Sequence, residues 1–236
     1  MKFRYLFTAS LYFLFCGFSY AESLVFAKSG PLDYSADISE TILKEAYGRL
    51  NFHISTEVLP SERALVNANS GLLDGDIHRI IGLENLYPNL IRVPVPINAI
   101  EGMVFSKTKG LKIDSWDDLK YFSIGLRIGA KFAEAGSQGM NVSPVITNDQ
   151  VFKMLDKGRT EVVVSTRIEG LLTTKRLGLA KIYPIEPAIV ILKLYHYVHK
   201  KNKAIIPELT RILKIMEKEG RILEIKKTAI VELLRQ

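Results

Sequence analysis

The sequence predicts an α/β protein of two lobes, each a mostly parallel sheet flanked by helices, with the lobes joined by two crossover strands. Three observations carry that prediction. Strand-like and helix-like segments alternate from Leu24 to Arg79, the rhythm of a parallel sheet. The same rhythm repeats from Phe122 to Glu169. Two further strand-like runs, Glu101–Ser106 and Ala188–Val198, lead out of the first block and back to it.

The first element is the leader. Lys2 and Arg4 form a basic start, and residues 6–18 are apolar apart from Thr8, Ser10 and Cys16. Ser19-Tyr20-Ala21 offers small residues at the −3 and −1 positions of a cleavage site. The run is too short to span a bilayer comfortably. A cleaved signal peptide of residues 1–21 is therefore expected, and with it export of the mature chain. Phe15 before Cys16 argues against lipid attachment, so the lone cysteine leaves with the leader. About 215 residues remain without a thiol, and burial rather than disulfides must hold them together. Loss of Lys2 and Arg4 lowers the net charge from +7 to +5. The remaining charge is spread, with little aromatic interleaving, so no nucleic-acid partner is expected.

Leu24–Ala27 reads as a first strand and Gly30–Tyr34 as a loop. Ile38, Ile42, Ala46 and Leu50 mark an amphipathic helix of about 13 residues. Asp37 and Glu40 have capping-box spacing at its start. Phe52–Val58 reads as a strand, and Pro60 opens a helix carrying Ala64, Leu65 and Ala68, which Gly71 can close. Leu72, Leu73 and Ile77 form a short strand ending in Asp76 and Arg79. Residues 82–99, with Pro88, Pro94 and Pro96, read as an irregular segment over the first lobe. Ser115–Asp118 starts a short helix, Phe122–Leu126 is a strand, and a helix runs from about Lys131 to Gln138. Val142–Ile146 is a strand, Asn148 caps the next helix, and Glu161–Val164 is a buried strand turning at Ser165–Glu169 into another helix. Pro207 starts a helix stopped at Gly220, and at least one more helix follows. The lobes are expected at residues 22–106 with 191–236, and at 107–190.

This order resembles the bacterial periplasmic solute-binding proteins of family 3, with the type II binding-protein fold. The residues that carry the likeness are Leu24–Tyr34, Leu59–Arg63 with Ser70–Asp74, Asp114–Leu119, Gly125–Gly129 and Gly220–Ile225. It covers essentially the whole mature chain. The sequence looks like a divergent branch: Arg79 follows Asp76 by only three residues, and Val93–Pro96 stand where an aromatic loop usually follows. The resemblance implies capture of a small polar, amino-acid-like or carboxylate-bearing solute by lobe closure. It also implies an inner-membrane transporter permease, or a sensor, as partner. A monomer without a cofactor is expected.

Candidate site residues follow from chemistry. Arg79 presents a planar fork that fits a carboxylate, or else forms a structural pair with Asp74, Asp76 or Glu84. Arg127, with the amides of Gly129 and Ala130, stands where a strand gives way to a helix and can attract an anion. Thr166, Arg167 and Glu169 follow the Val-rich strand. Glu169 can meet a ligand ammonium group or simply face solvent. Tyr34 can stack on a ligand from the first loop or pack in the core. No thiol, serine-nucleophile or phosphate-loop motif is present. His196 and His199 fall on opposite faces of a strand, which argues against a shared metal. No catalytic residue is assigned. A dehydratase-like role for Asp76 or Glu169 is the remaining enzymatic alternative.

Overall fold

The computed structural model describes residues 23–30 and 33–235; the expected leader, with Cys16, lies outside them. Among the described residues there are eight strands and seven α-helices. The first block is β1 (Ser23–Ser29), α1 (Tyr34–Gly48), β2 (His53–Leu59), α2 (Ser61–Ser70) and β3 (Gly75–Arg79). β1 lies between β2 and β3 and runs parallel to both. Helix α1 buries Ile38, Ile42, Leu43, Ala46 and Tyr47. It starts earlier than the Asp37/Glu40 spacing predicts, because Asp33 accepts hydrogen bonds from the amides of Ser35 and Ala36. Asp37 and Glu40 instead pair with Lys28. Gly71 closes α2 at φ +82°, as its position predicts.

The irregular segment expected at 82–99 is mostly strand. After a 3₁₀ turn at Leu83–Asn85, β4 (Leu90–Ser106) runs for 17 residues through both Pro94 and Pro96. The prolines are tolerated because the pairing register shifts on either side of Pro96 and Pro94 is exposed. Val93, Val95 and Ile97 alternate into the core. That two-residue period was the signal the prolines masked.

The second block is β5 (Ile124–Arg127), α3 (Lys131–Gly136), β6 (Val142–Val145), α4 (Asn148–Asp156), β7 (Val162–Thr166) and α5 (Arg167–Arg176). Thr147, not Asn148, caps α4, in a reciprocal capping box with Gln150. Ser115–Asp118 leads into a 3₁₀ turn, where Asp118 accepts from the amides of Asp114 and Ser115. β5 lies between β6 and β7, parallel to both. β8 (Tyr183–His199) then returns antiparallel along the whole of β4, from Ser106 opposite Tyr183 to Leu90 opposite His199. The two long strands are the crossover, and they make the eight strands one hydrogen-bonded series, β2-β1-β3-β8-β4-β7-β5-β6. Helices α6 (Ile206–Lys218) and α7 (Arg221–Arg235) complete the fold.

The cores explain why the series divides into two lobes. In the first, Phe26, Ile42, Tyr47, Val95 and Leu213 fill one side of the strands, and Ala27, Ala64, Leu65 and Tyr197 the other. In the second, Val162 and Val164 face one cluster and Val163 the other, the pattern of a strand buried on both faces.

Candidate functional site

Between the two lobes lies a cavity of about 820 Å³. Its walls come from the carboxyl ends of parallel strands: the start of α1 after β1, the β5–α3 turn and the β7–α5 turn. Open α/β sheets build ligand crevices at such ends. β4 contributes Asn98–Glu101 at the crossover, and α7 contributes Lys226 and Ile230. Much of the lining is apolar, including Ile38, Ile100, Phe132, Leu192 and Ile230.

Several polar groups at the rim are held by their own neighbours. Asp33 caps α1 and stands 3.7 Å from His78 Nε2, while His78 Nδ1 is hydrogen-bonded to Ser39 Oγ at 2.7 Å. Burial pushes the Asp33 carboxyl up, but His78 and the α1 donors outweigh it and bring the pKa to about 2. Asn98 donates to Ser35 O at 3.0 Å and Ser39 Oγ at 3.1 Å, fixing the start of α1 against β4. Tyr34 is the first residue of α1 and faces the cavity.

On the opposite wall, Arg127 ends β5 with Nη2 3.8 Å from Glu169 Oε1. That separation leaves both groups room to meet a solute. Thr166 caps α5, its hydroxyl accepting from the Glu169 amide at 3.2 Å. Arg167 donates to Glu101 and spans Glu186 with two bonds of 2.5 and 2.9 Å. The Glu186 bonds lead in raising its already high pKa, against burial, so it stays charged.

Two expectations need correction. Arg79 and Asp76 are not part of the cavity lining. Arg79 folds back instead, donating through Nε (3.0 Å) and Nη2 (2.7 Å) to Asp76 Oδ2 and through Nη1 to Ser61 Oγ (2.8 Å). An i, i+3 reach within β3, made possible by the register shift between Asp76 and Arg79, satisfies the guanidinium before any solute can. The amides of Gly129 and Ala130 line the cavity but are already used: Gly129 donates to Glu134 Oε1 at 2.7 Å and Ala130 to Arg127 O at 3.1 Å. Gly129, at φ +88°, makes the tight turn rather than an open anion cradle.

Sequence reasoning missed Asn98, Glu101 and Lys226. Their local patterns are those of a strand and an amphipathic helix, and nothing in either period marks a residue that faces a cleft. His196 and His199 are structural: His196 lies between Tyr47 and the carbonyls of Asp76 and Ile77, and His199 accepts from the Lys201 amide.

No protein-family model matches the sequence. A protein of Shewanella oneidensis described as uncharacterized is 28% identical over 196 residues, 77% of this chain and 72% of its own length. Among solved structures, a "probable amino-acid ABC transporter extracellular-binding protein" from Bacillus subtilis superposes with a TM-score of 0.69. It is 14% identical and covers 89% of this chain and 99% of its own. The chain has the two-lobed periplasmic binding protein fold. A histidine kinase sensor domain with similarity to periplasmic binding proteins also shares it, at TM-score 0.59 and 14% identity over 88% of this chain and 96% of that one. At such identities the likeness extends to the fold, and the cleft chemistry is this chain's own. Among the described residues, no helix of this periplasmic-binding-protein-like chain is long and apolar enough to cross a membrane.

Proposed function

We propose that the chain is a periplasmic receptor that captures a small amino-acid-like or carboxylate-bearing solute by lobe closure and presents it to an inner-membrane transporter. The observation that carries this reading is the cavity of about 820 Å³ between the lobes, a size suited to a small molecule. Opposed walls supply it with charge: Asp33 from the first lobe, and Arg127 and Glu169 from the second. A solute touching both walls makes its full set of contacts only when the lobes are together, so binding shifts the population toward closure. The lobes are read as residues 22–106 with 191–236, and 107–190, and delivery to the periplasm as the work of residues 1–21.

The test is the melting temperature of the mature chain against a panel of amino acids, carboxylates and oligosaccharides. A solute at a hundred times its Kd stabilises by about 2.7 kcal/mol, which moves the transition visibly. Absence of any shift across the panel overturns the reading.

The likeness to a histidine kinase sensor domain supports a second reading, a sensory module of the same fold that signals to a membrane partner. The two separate on Arg127→Ala: a transport receptor loses solute capture, whereas a module that has lost tight binding keeps its partner association unchanged.

A further inference from the structure

The charges facing the cavity are not equally free. Asp33 is committed to the α1 cap and to His78, Arg167 to Glu101 and Glu186, and Lys131 to Glu134 at 2.8 Å. Arg127 and Glu169 face each other at 3.8 Å and offset one another's charge. Lys226 differs from all of these. It reaches the cavity from α7, is half-buried, and has no hydrogen bond or ion pair among the described residues. Ile230, one turn further along the same face of α7, is part of the same wall, and Ile100, Ile168 and Leu192 add to the apolar lining. A half-buried ammonium without a partner is a standing cost that a bound anion removes.

We propose that Lys226 receives the anionic group of the ligand, and that the ligand is a monocarboxylate with an apolar body rather than a zwitterion. This rests on the cleft being a solute site, as argued above, and it narrows the class of solute. Burial lowers the Lys226 pKa from its ordinary value, while Glu101 and Glu217, beyond ion-pair contact, act the other way. Burial thus penalises the free cation, and a carboxylate placed against it relieves that penalty. The apolar walls then hold the rest of the molecule by removing it from water.

The experiment is calorimetric titration and thermal shift of the mature chain with four probes: hexanoate, 3-phenylpropionate, the neutral isostere hexanamide, and L-phenylalanine. Hexanoate or 3-phenylpropionate should bind, hexanamide about tenfold or more weakly than hexanoate. Lys226→Met should erase the preference of acid over amide, and Lys226→Arg should retain it. The acid–amide comparison on the unaltered protein needs no variant, so a folding defect in Lys226→Met leaves the test standing. Equal binding of acid and amide, an undiminished acid preference in Lys226→Met, or binding of L-phenylalanine alone overturns the inference and leaves solute capture intact. Failure of all four probes together with the wider amino-acid and oligosaccharide panel overturns both.

Discussion

Arg79 and Asp76 form a closed pair inside the first lobe, two guanidinium N–H groups converging on one carboxylate oxygen that is removed from solvent. The other oxygen, Oδ1, accepts from the His78 amide at 3.1 Å. Burial pushes the Asp76 carboxyl above its usual pKa even with Arg79 pulling it down, so the arginine limits the cost of placing an acid there.

Arg79→Ala should therefore act on stability and not on capture. It leaves a buried carboxylate without its counter-charge, at a cost of roughly 3 kcal/mol or more. Urea unfolding should show that loss, while solute affinity of the folded protein stays within about twofold. Arg79→Met combined with Asp76→Leu should recover much of the stability, since an apolar pair of similar volume has no charge to desolvate.

The buried His196 gives a pH dependence with a definite sign. Its Nδ1 faces the carbonyls of Asp76 (2.9 Å) and Ile77 (3.1 Å) and must donate, so Nε2 accepts from the Tyr47 hydroxyl at 2.9 Å: the neutral ring. Burial lowers its pKa from 6.5 to about 4, although both carbonyls favour the charged form. Between those values the unfolded chain binds more protons than the folded one. The stability contributed is full above pH 6.5 and is lost as pH falls toward 4, a total of about 3 kcal/mol. Denaturant unfolding at pH 7 and pH 4.5 should show a larger acid loss for the unaltered protein than for His196→Gln. Equal losses would remove His196 from the account.

Gly75 marks a close approach of backbones. It has φ +152°, and a Cβ there would stand 2.0 Å from the Tyr197 carbonyl oxygen, which the β3–β8 pairing holds in place. Gly75→Ala should cost roughly 3 kcal/mol or more through this overlap. Gly48→Ala, where a Cβ meets nothing within 4 Å, should change stability by about 0.5 kcal/mol or less. Melting curves of the two variants, side by side, check both values.

Arg127 should behave in the opposite way to Arg79. Its contacts are long, 3.4 Å to Ile128 O and 3.8 Å to Glu169, and the side chain is 35% exposed. Arg127→Ala should leave the melting of the unliganded protein nearly unchanged and weaken binding of whichever panel solute is captured by about tenfold or more. A large fall in unliganded stability with affinity preserved would assign it a purely structural role.

The contrast between these two arginines shows what could be read in advance. Both end a short buried strand, and their local sequences are equally compatible with a ligand contact. Arg79 has an acid three residues away whose side chain points the same way once β3 bulges, and that bulge depends on the partner strand β8, more than a hundred residues distant. Arg127 has no such neighbour. The turn at Gly129 was legible as a strand-to-helix turn, but Glu134's return to its amide was not, because that bond depends on how tightly the short helix α3 winds.

The sequence by itself determined the alternation of strands and helices, the apolar faces of α1, α2 and α6, and the two-lobed class. These rest on periods of two and 3.6 residues and on Pro and Gly punctuation, which act within a few residues of chain. It did not determine the length of β4, because Pro94 and Pro96 are compatible with a strand only beside the register shifts that β8 supplies. Nor did it determine which charges are available to a solute. The cavity is assembled from segments between Gly30 and Ile230, and whether a cation there is free depends on which acids long-range packing places beside it. Arg167 meets Glu101 across 66 residues, whereas Lys226 has no ion-pair partner among the described residues, and only the tertiary structure separates the two.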